Sequence, residues 1–268
     1  MEAEEPLVRV SGLSKRYPRR GDRRARAAVL AVADVDLTIT RGADLALVGE
    51  SGSGKSTLAR CLARLEEPTS GRIWFEGTDI LELQGRRLRP FRERVQLILQ
   101  DSATALDPRL RASDIVSEPL QVLGRGDRTQ RRRRALELME AVGLPAAGAE
   151  GRPLELSGGQ RQRLAIARAL AVQPRLLILD EAFAGLDVSI QAQIAGLLQD
   201  LRRRHGLTYV YISHDLALMA RLADEIAIMF EGRIVERGET ARIVLDPRHP
   251  HTQGLLAAVS TLPPAATP

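Results

Sequence analysis

Apolar and polar positions alternate early in the chain. "LVRV" (Leu7–Val10) and "DVDLTIT" (Asp34–Thr40) have the period of two that marks half-buried strands. "DLALVG" (Asp44–Gly49) is almost wholly apolar and stops on glycine, which predicts a short buried strand, with a helix beginning at about Lys55. "GRIWFEG" (Gly71–Gly77) reads as a further strand between turn residues, and "VQLILQ" (Val95–Gln100) as one buried on both faces. From about Asp101 to Pro153 the pattern turns helical. "TQRRRRALELMEAVGL" places Ala135, Leu138, Met139 and Val142 on one side, and Pro119, Pro145 and Pro153 punctuate the region. This predicts a small helical subdomain inserted between strands. Strands and helices then alternate: "RLLILD", the helix "SIQAQIAGLLQDLRRRHG" closed by Gly206, "LTYVYIS", the helix "LALMARLAD", and "EIAIMF". Such alternation implies a parallel sheet covered on both faces. "GRIVERG" (Gly232–Gly238) reads as an edge strand and "LPPAATP" as a disordered tail.

Composition narrows the class. The 268 residues are 44% hydrophobic and 27% charged, ordinary values for a globular protein with a real core. No apolar run approaches the ~18 residues of a membrane span. The opening "MEAEEP" is acidic, unlike the start of a signal peptide, so a cytosolic protein is expected, one able to dock on a membrane through a partner. The single cysteine, Cys61, excludes an internal disulfide and a cysteine metal cluster, and it falls on the apolar side of a helix as a packed thiol. A sequence pI of about 10.1 invites a nucleic-acid reading. It is outweighed by other features. Of the 39 basic residues 37 are arginine, which suggests a GC-rich coding sequence, while the net charge is only +5 and aromatics are 3%. "RRGDRRAR" (Arg19–Arg26) is expected to be a solvated loop, and Arg131–Arg134 the exposed face of a helix. No nucleic-acid partner is expected.

The chemistry sits at strand ends. "GESGSGKST" comprises Gly49, Glu50, Ser51, Gly52, Ser53, Gly54, Lys55, Ser56 and Thr57, and it follows a buried strand at the start of a helix. In that context glycines let successive N–H groups turn inward around phosphate oxygens, Lys55 reaches the β/γ-phosphates, and Ser56 offers its hydroxyl to Mg²⁺. "LLILDE" places Asp180 at the carboxyl end of a strand, where it can hold Mg²⁺ through water, and Glu181 next to it, where it can orient or deprotonate an attacking water. His214, just past "LTYVYIS", can hydrogen-bond a γ-phosphate, and Gln100, at the end of "VQLILQ", can ligate Mg²⁺ or hold a water. Alone, a histidine there is more often structural, and a glutamine means little. A second anion-ready helix start follows at "LSGGQ", where Ser157, Gly158 and Gly159 are expected to present free N–H groups.

These motifs in this order, with "AGLD" (Ala184–Asp187), resemble the ATPase subunit of an ABC transporter over nearly the whole chain. "LSGGQ" is highly specific to that superfamily. The resemblance implies an α/β fold: a P-loop NTPase core with a mixed or parallel sheet, an antiparallel β subdomain and an inserted α-helical subdomain. It implies ATP and Mg²⁺ as cofactors, with Ser56, Gln100 and Asp180 at the metal. Tyr17, in "SKRYP", fits the family's adenine-stacking aromatic. In such ATPases two domains close head to tail. Ser157, Gly158, Gly159 and Gln160 then contact nucleotide held by the other subunit, with Asp187 helping to join the sites. The expected organisation is a core of residues 1–100 and 164–245, a helical subdomain of 101–163, and a C-terminal helix and tail in 246–268.

Further stretches are similar to the oligopeptide/dipeptide/nickel import branch: "QDSATALDPRLR" (Gln100–Arg111), "LDVSIQAQI" (Leu186–Ile194) and "HPHTQGLLAAV" (His249–Val259). His249 and His251 invite a nickel-ligand reading, but the branch keeps a His-Pro segment whatever its cargo, and a structural role at a helix start is expected. The usual "DEPTSALD" is here "DEAFAGLD", with Asp180, Glu181 and Asp187 kept; the changed loop bears on coupling between the sites. The resemblance implies an importer ATPase for peptides, or for nickel or a metallophore, on the cytoplasmic face of the inner membrane. Its partners would be two membrane-spanning permease subunits, a second ATPase subunit that is a different chain, and, indirectly, an extracytoplasmic solute-binding protein. Rival readings are a soluble ABC ATPase of DNA repair or translation, an exporter ATPase, and a phosphate-loop kinase, which would leave "LSGGQ" unexplained.

Overall fold

The computed structural model describes residues 6–18, 28–100 and 105–260. The arginine-rich loop, the acidic opening up to Glu5, "DSAT" and the terminal "LPPAATP" therefore lie outside the described residues. In chain order the elements are β1 (Val8–Pro18), β2 (Ala28–Ile39), β3 (Asp44–Val48), α1 (Lys55–Leu62), β4 (Ser70–Phe75), β5 (Thr78–Asp79), α2 (Leu88–Arg94), β6 (Val95–Ile98), α3 (Ala112–Val122), α4 (Arg128–Ala141) and α5 (Gly158–Leu170). There follow β7 (Leu176–Asp180), α6 (Val188–His205), β8 (Thr208–Ser213), α7 (Leu216–Leu222), β9 (Glu225–Phe230), β10 (Arg233–Glu239), α8 (Thr240–Leu245) and α9 (Pro250–Ser260). The class is α/β with mixed and antiparallel sheets. Two compact units form, one from the chain up to Leu88 and again from Tyr209, the other from Arg89–Thr208.

In the first unit β2, β1, β4 and β5 form an antiparallel sheet in that order. Its inner face is the alternation read from the sequence: Val8, Val10, Val35, Leu37 and Ile39 are buried while Arg9 and Asp36 are exposed. β1 and β2 run further than "LVRV" and "DVDLTIT" predict. Three register shifts between Val10 and Arg16 break the period of two there, which hides the continuation from a pattern search. In the same unit β3 pairs in parallel with β8 and β9, and β10 closes this edge antiparallel to β9. All five residues of β3 and all six of β8 are buried, as strands flanked on both sides require.

In the second unit β6 and β7 pair in parallel. β7 is buried throughout. β6 corrects the expectation for "VQLILQ": it ends at Ile98, Gln96 and Leu97 are only half-buried, and Leu99 is 37% exposed. Helix α4 buries Ala135, Leu138 and Met139, with Val142 at its end, and starts in a reciprocal cap between Asp127 and Gln130. Pro119, expected to interrupt the chain, lies inside α3. Arg131–Arg134 form local contacts on the outer side of α4, among them Arg132 with Glu150 and Arg134 with Glu137. Helix α6 ends on Gly206, whose φ of 61° is the left-handed conformation glycine adopts without strain.

Candidate functional site

The loop between β3 and α1 wraps around the Lys55 ammonium. Lys55 is 5% exposed, and its Nζ donates to the carbonyls of Gly49 (2.6 Å) and Glu50 (2.7 Å) and to Ser53 Oγ (3.3 Å). The charge is thus fixed on the loop axis at the first residue of α1, where the helix N-terminus already favours an anion. Two glycines are demanded by space. A Cβ on Gly49 would lie 2.1 Å from the Met229 carbonyl oxygen, and one on Gly54 2.0 Å from that of Ala31. Gly54 also has φ 105°, closed to ordinary side chains. Ser51 and Gly52 are exposed at the loop tip, and Ser56 and Thr57 are half-buried in the first turn of α1. Gly52 has φ 83° with open space around it, so its backbone and not packing calls for glycine.

In the second unit, Ser157 is the N-cap of α5. Its Oγ accepts from Gln160 N–H (3.2 Å) while Gln160 Oε1 accepts from Ser157 N–H (2.8 Å). This corrects the expectation of three free amides. Ser157 N–H is consumed by the cap, leaving those of Gly158 and Gly159 in the first turn, which has no intrahelical acceptors. Asp187 caps α6 in turn, its Oδ1 accepting from Ile190 N–H (2.9 Å) and the Ser189 hydroxyl (2.7 Å). Those donors, the Ile190 amide first, hold its carboxyl below the usual range. The two caps touch: a Cβ on Gly159 would stand 2.6 Å from Ile190 Cγ2, and one on Gly158 3.4 Å from Leu186 Cδ2.

Asp180 ends β7 and is 2% exposed. Glu181, half-buried, follows with φ 51°, and its carbonyl accepts from Ala184 N–H (3.0 Å). Among the described residues five other non-glycine positions share that backbone region, Asp34 and Glu231 among them, so the conformation marks a tight turn. In "DEAFAGLD" the variant side chains Ala182 and Phe183 are buried, and Ala184 and Gly185 are exposed. Gln191, which the sequence reading missed, ties this loop down: its Nε2 donates to the carbonyls of Phe183 (3.1 Å) and Leu186 (3.2 Å). Its signal is the spacing of four residues from Asp187, one helical turn. Gln100 is exposed two residues beyond the end of β6, not at the strand end expected.

His214 is exposed immediately after β8, and Asp215 beside it caps α7 by accepting from Leu218 N–H (2.9 Å). Tyr17 lies near the end of β1, half-buried, with Lys15 Nζ 4.9 Å from its ring centre. That ammonium is itself held by the Glu67 carbonyl (2.7 Å) and Glu66 (3.1 Å). Cys61 is fully buried on α1. No cluster of three or more potential metal-binding His, Cys, Asp or Glu occurs among the described residues. His249 accepts at Nδ1 from His251 N–H (3.1 Å), a contact that caps the start of α9, where a structural role was expected. A hollow of about 760 Å³ lined by Glu137, Glu140, Arg163, Gln193 and Asp200 contains none of the candidate residues. The described helices include none long and apolar enough to cross a membrane.

Known proteins resemble this chain in sequence and in fold. The sequence profile of the ABC transporter family matches residues 32–184. A probable peptide ABC transporter ATP-binding protein of Sinorhizobium fredii is 46% identical over 263 residues, which cover 97% of this chain and 74% of that protein. The dipeptide transport ATP-binding protein of Escherichia coli is 42% identical, with 97% and 78% covered. Among solved structures, the dimeric post-hydrolysis ATP-binding cassette MJ0796, bound to ADP and Pi, superposes with a TM-score of 0.78 at 31% identity, covering 87% of this chain and 99% of that one.

Proposed function

The chain belongs to the ABC transporter family, and from that premise we propose that it is the ATP-hydrolysing subunit of an importer for peptides or a related small solute. One observation carries this reading: the similarity to peptide-import ATPases extends over 97% of the chain, so that the Lys55 loop, the Ser157 helix start and the His249 segment all belong to one alignment. A nickel or metallophore cargo is the variant of the same reading; no specific observation favours it.

In this reading residues 1–100 and 164–245 form the nucleotide-binding core, 101–163 the helical subdomain, and 246–268 a C-terminal helix and tail. The amides of Gly49–Thr57 and the Lys55 ammonium bind the phosphates of ATP, and Tyr17 stacks on adenine. Ser56, Gln100 and Asp180 supply hydroxyl, amide and carboxylate oxygens, a hard donor set that suits Mg²⁺, which keeps several waters and takes few carboxylates. When bound, Mg²⁺ neutralises charge on the β- and γ-phosphates. Glu181 orients and accepts a proton from the attacking water, and His214 donates a hydrogen bond to the γ-phosphate. Ser157, Gly158, Gly159 and Gln160 contact the nucleotide of a second ATPase subunit, a different chain, and Asp187 joins the two sites. That heterodimer works at the cytoplasmic face of the membrane with two permease subunits, which receive solute from an extracytoplasmic binding protein. No nucleic acid takes part.

Tagged Glu181→Gln protein, isolated with ATP and Mg²⁺ from the membranes of its own host, tests this. Co-purification of two multi-span proteins and a second ATPase is the expected result. Recovery of ribosomes, of DNA-repair proteins, or of no membrane protein overturns the importer reading.

A further inference from the structure

The late "HPHTQ" motif has no part in the nucleotide chemistry above, yet a line of contacts leads from it to the nucleotide loop. All of it lies in the first unit. Glu236 on β10, itself 8% exposed, anchors the start of α9: its two oxygens accept from the backbone N–H groups of Arg248 and His249, each at 3.0 Å. His249 caps the His251 amide, and the His251 ring then packs on Phe230, with centroids 4.2 Å apart and planes tilted by 34°. His251 Nε2 is buried without a hydrogen-bond partner, so in this place the ring serves by packing.

Phe230 is the last residue of β9 and opens the turn into β10. The next two residues, Glu231 (φ 47°) and Gly232 (φ 81°), both hold left-handed backbone, which leaves the turn few ways to yield. Gly232 N–H donates to the Ser53 carbonyl (2.9 Å), and Gly232 carbonyl accepts from Ala33 N–H (2.9 Å). On the other side of Phe230, the Met229 carbonyl fills the space a Cβ on Gly49 would need, and Met229 Cε stands 2.8 Å from where one on Gly54 would lie. Gly49, Ser53 and Gly54 therefore rest on Met229 and Gly232, and the His251 ring packs on Phe230 between these two residues.

We infer that the His249–Thr252 segment sets the geometry of the nucleotide loop, with His251 as a positioning residue that acts through Phe230 and Gly232 on the peptide of Ser53. The inference rests on the reading that this loop binds ATP. A displaced Phe230 shifts Gly232, the Ser53 carbonyl turns, and the loop amides no longer converge on the phosphates. Affinity for nucleotide falls; the hydrolytic groups are untouched.

The test compares the full chain with His251→Ala and His251→Phe in equilibrium binding of ATP with Mg²⁺, steady-state hydrolysis, and thermal unfolding without nucleotide. For His251→Ala the Kd and KM for ATP rise about tenfold, the worth of one aromatic contact, while kcat changes less than about twofold. His251→Phe, which keeps a ring against Phe230, restores both. Wild-type affinity in a folded His251→Ala protein overturns the inference, as does an equal loss in His251→Phe. Should His251→Ala fail to fold, Glu236→Gln decides: loosening the anchor of α9 must raise KM in the same direction, and an unchanged KM refutes the link. If the unaltered chain binds no ATP, the reading of the loop itself fails and the inference falls with it.

Discussion

Gly159 and Ile190 are packed without room for a methyl group between them: a Cβ on Gly159 would stand 2.6 Å from Ile190 Cγ2. Ile190 N–H is also the donor that Asp187 accepts in capping α6. Ile190, in the first turn of α6, thus both packs on the first turn of α5 and donates to the Asp187 cap. The amides of Gly158 and Gly159 and the carboxylate of Asp187 are held as one body.

That contact makes the effect of a methyl at Gly159 depend on Ile190. Gly159→Ala should lower ATPase activity strongly, and adding Ile190→Ala should recover part of it by making room. Contacting residues typically couple by about 0.5–3 kcal/mol, so a double-mutant cycle on stability should show at least ~0.5 kcal/mol of coupling. Strictly additive effects would mean that the two helix starts move independently.

Glu181→Gln removes the proposed base while keeping size and hydrogen-bonding capacity. Hydrolysis should fall by about 10²–10⁴-fold, the usual worth of general-base catalysis, with ATP affinity within about twofold of the unaltered chain. Single-turnover release of phosphate is the measurement. Turnover at the unaltered rate would remove Glu181 from its role.

Gly54→Ala meets two obstacles at once, the φ of 105° and the Ala31 carbonyl oxygen 2.0 Å from the new Cβ. Since both are backbone features, no rotamer change relieves them. Loss of ATP binding by at least about tenfold is expected, whereas Gly52→Ala, strained only by its φ of 83° and touching nothing within 4 Å, should bind more tightly than Gly54→Ala. Equal affinities would show that space behind the loop does not shape it.

How much of this was legible in the sequence varies with how local the cause is. The β3–loop–α1 unit, β7 ending on Asp180, and α6 closed by Gly206 could all be read, because each is fixed by short-range pattern and by glycine. The far half of β1 was not, since register shifts cancel the alternation. Nor was the end of β6, where apolar Leu99 is 37% exposed although the pattern continues. The candidate site residues could be named as types from the sequence, but their local wiring could not. That Ser157 N–H is spent on Gln160, or that Glu236 holds the amides of Arg248 and His249, depends on turns whose path the residues alone do not dictate.

Cys61 reports on the fold. Burial pushes its thiol up to about 11, outweighing nearby Lys15, so the thiolate is scarce at neutral pH as well as enclosed. In the native chain at pH 8 it should resist a maleimide or disulfide reagent, and in denaturant it should react at once. Rapid labelling of the native protein would mean that α1 opens far more readily than its packing indicates.

Glu236 gives the chain an acid-sensitive joint. Burial favours its neutral form, yet the Thr252 hydroxyl, then the N–H groups of Arg248 and His249 and the Arg242 guanidinium (3.7 Å), hold its carboxyl below the usual range of about 4 to 4.5. A carboxyl with a lowered folded pKa binds protons less readily than the unfolded chain does. Its stabilisation is therefore complete above the unfolded pKa and is lost as pH falls through the folded one, a window that opens below about 4.5. Other carboxylates, Glu150 and Asp187 among them, are lowered too, so the acid limb of the whole chain does not isolate this one. Comparison with Glu236→Gln does. Denaturant unfolding should find the unaltered chain more stable than the variant at pH 7, with the gap closing as pH falls towards 3. Amide exchange at Arg248 and His249 should quicken over the same interval in the unaltered chain alone. A gap that stays constant from pH 7 to 3 would mean that the charge on Glu236 does not anchor α9, and that the hydrogen-bonding shape of the side chain is enough.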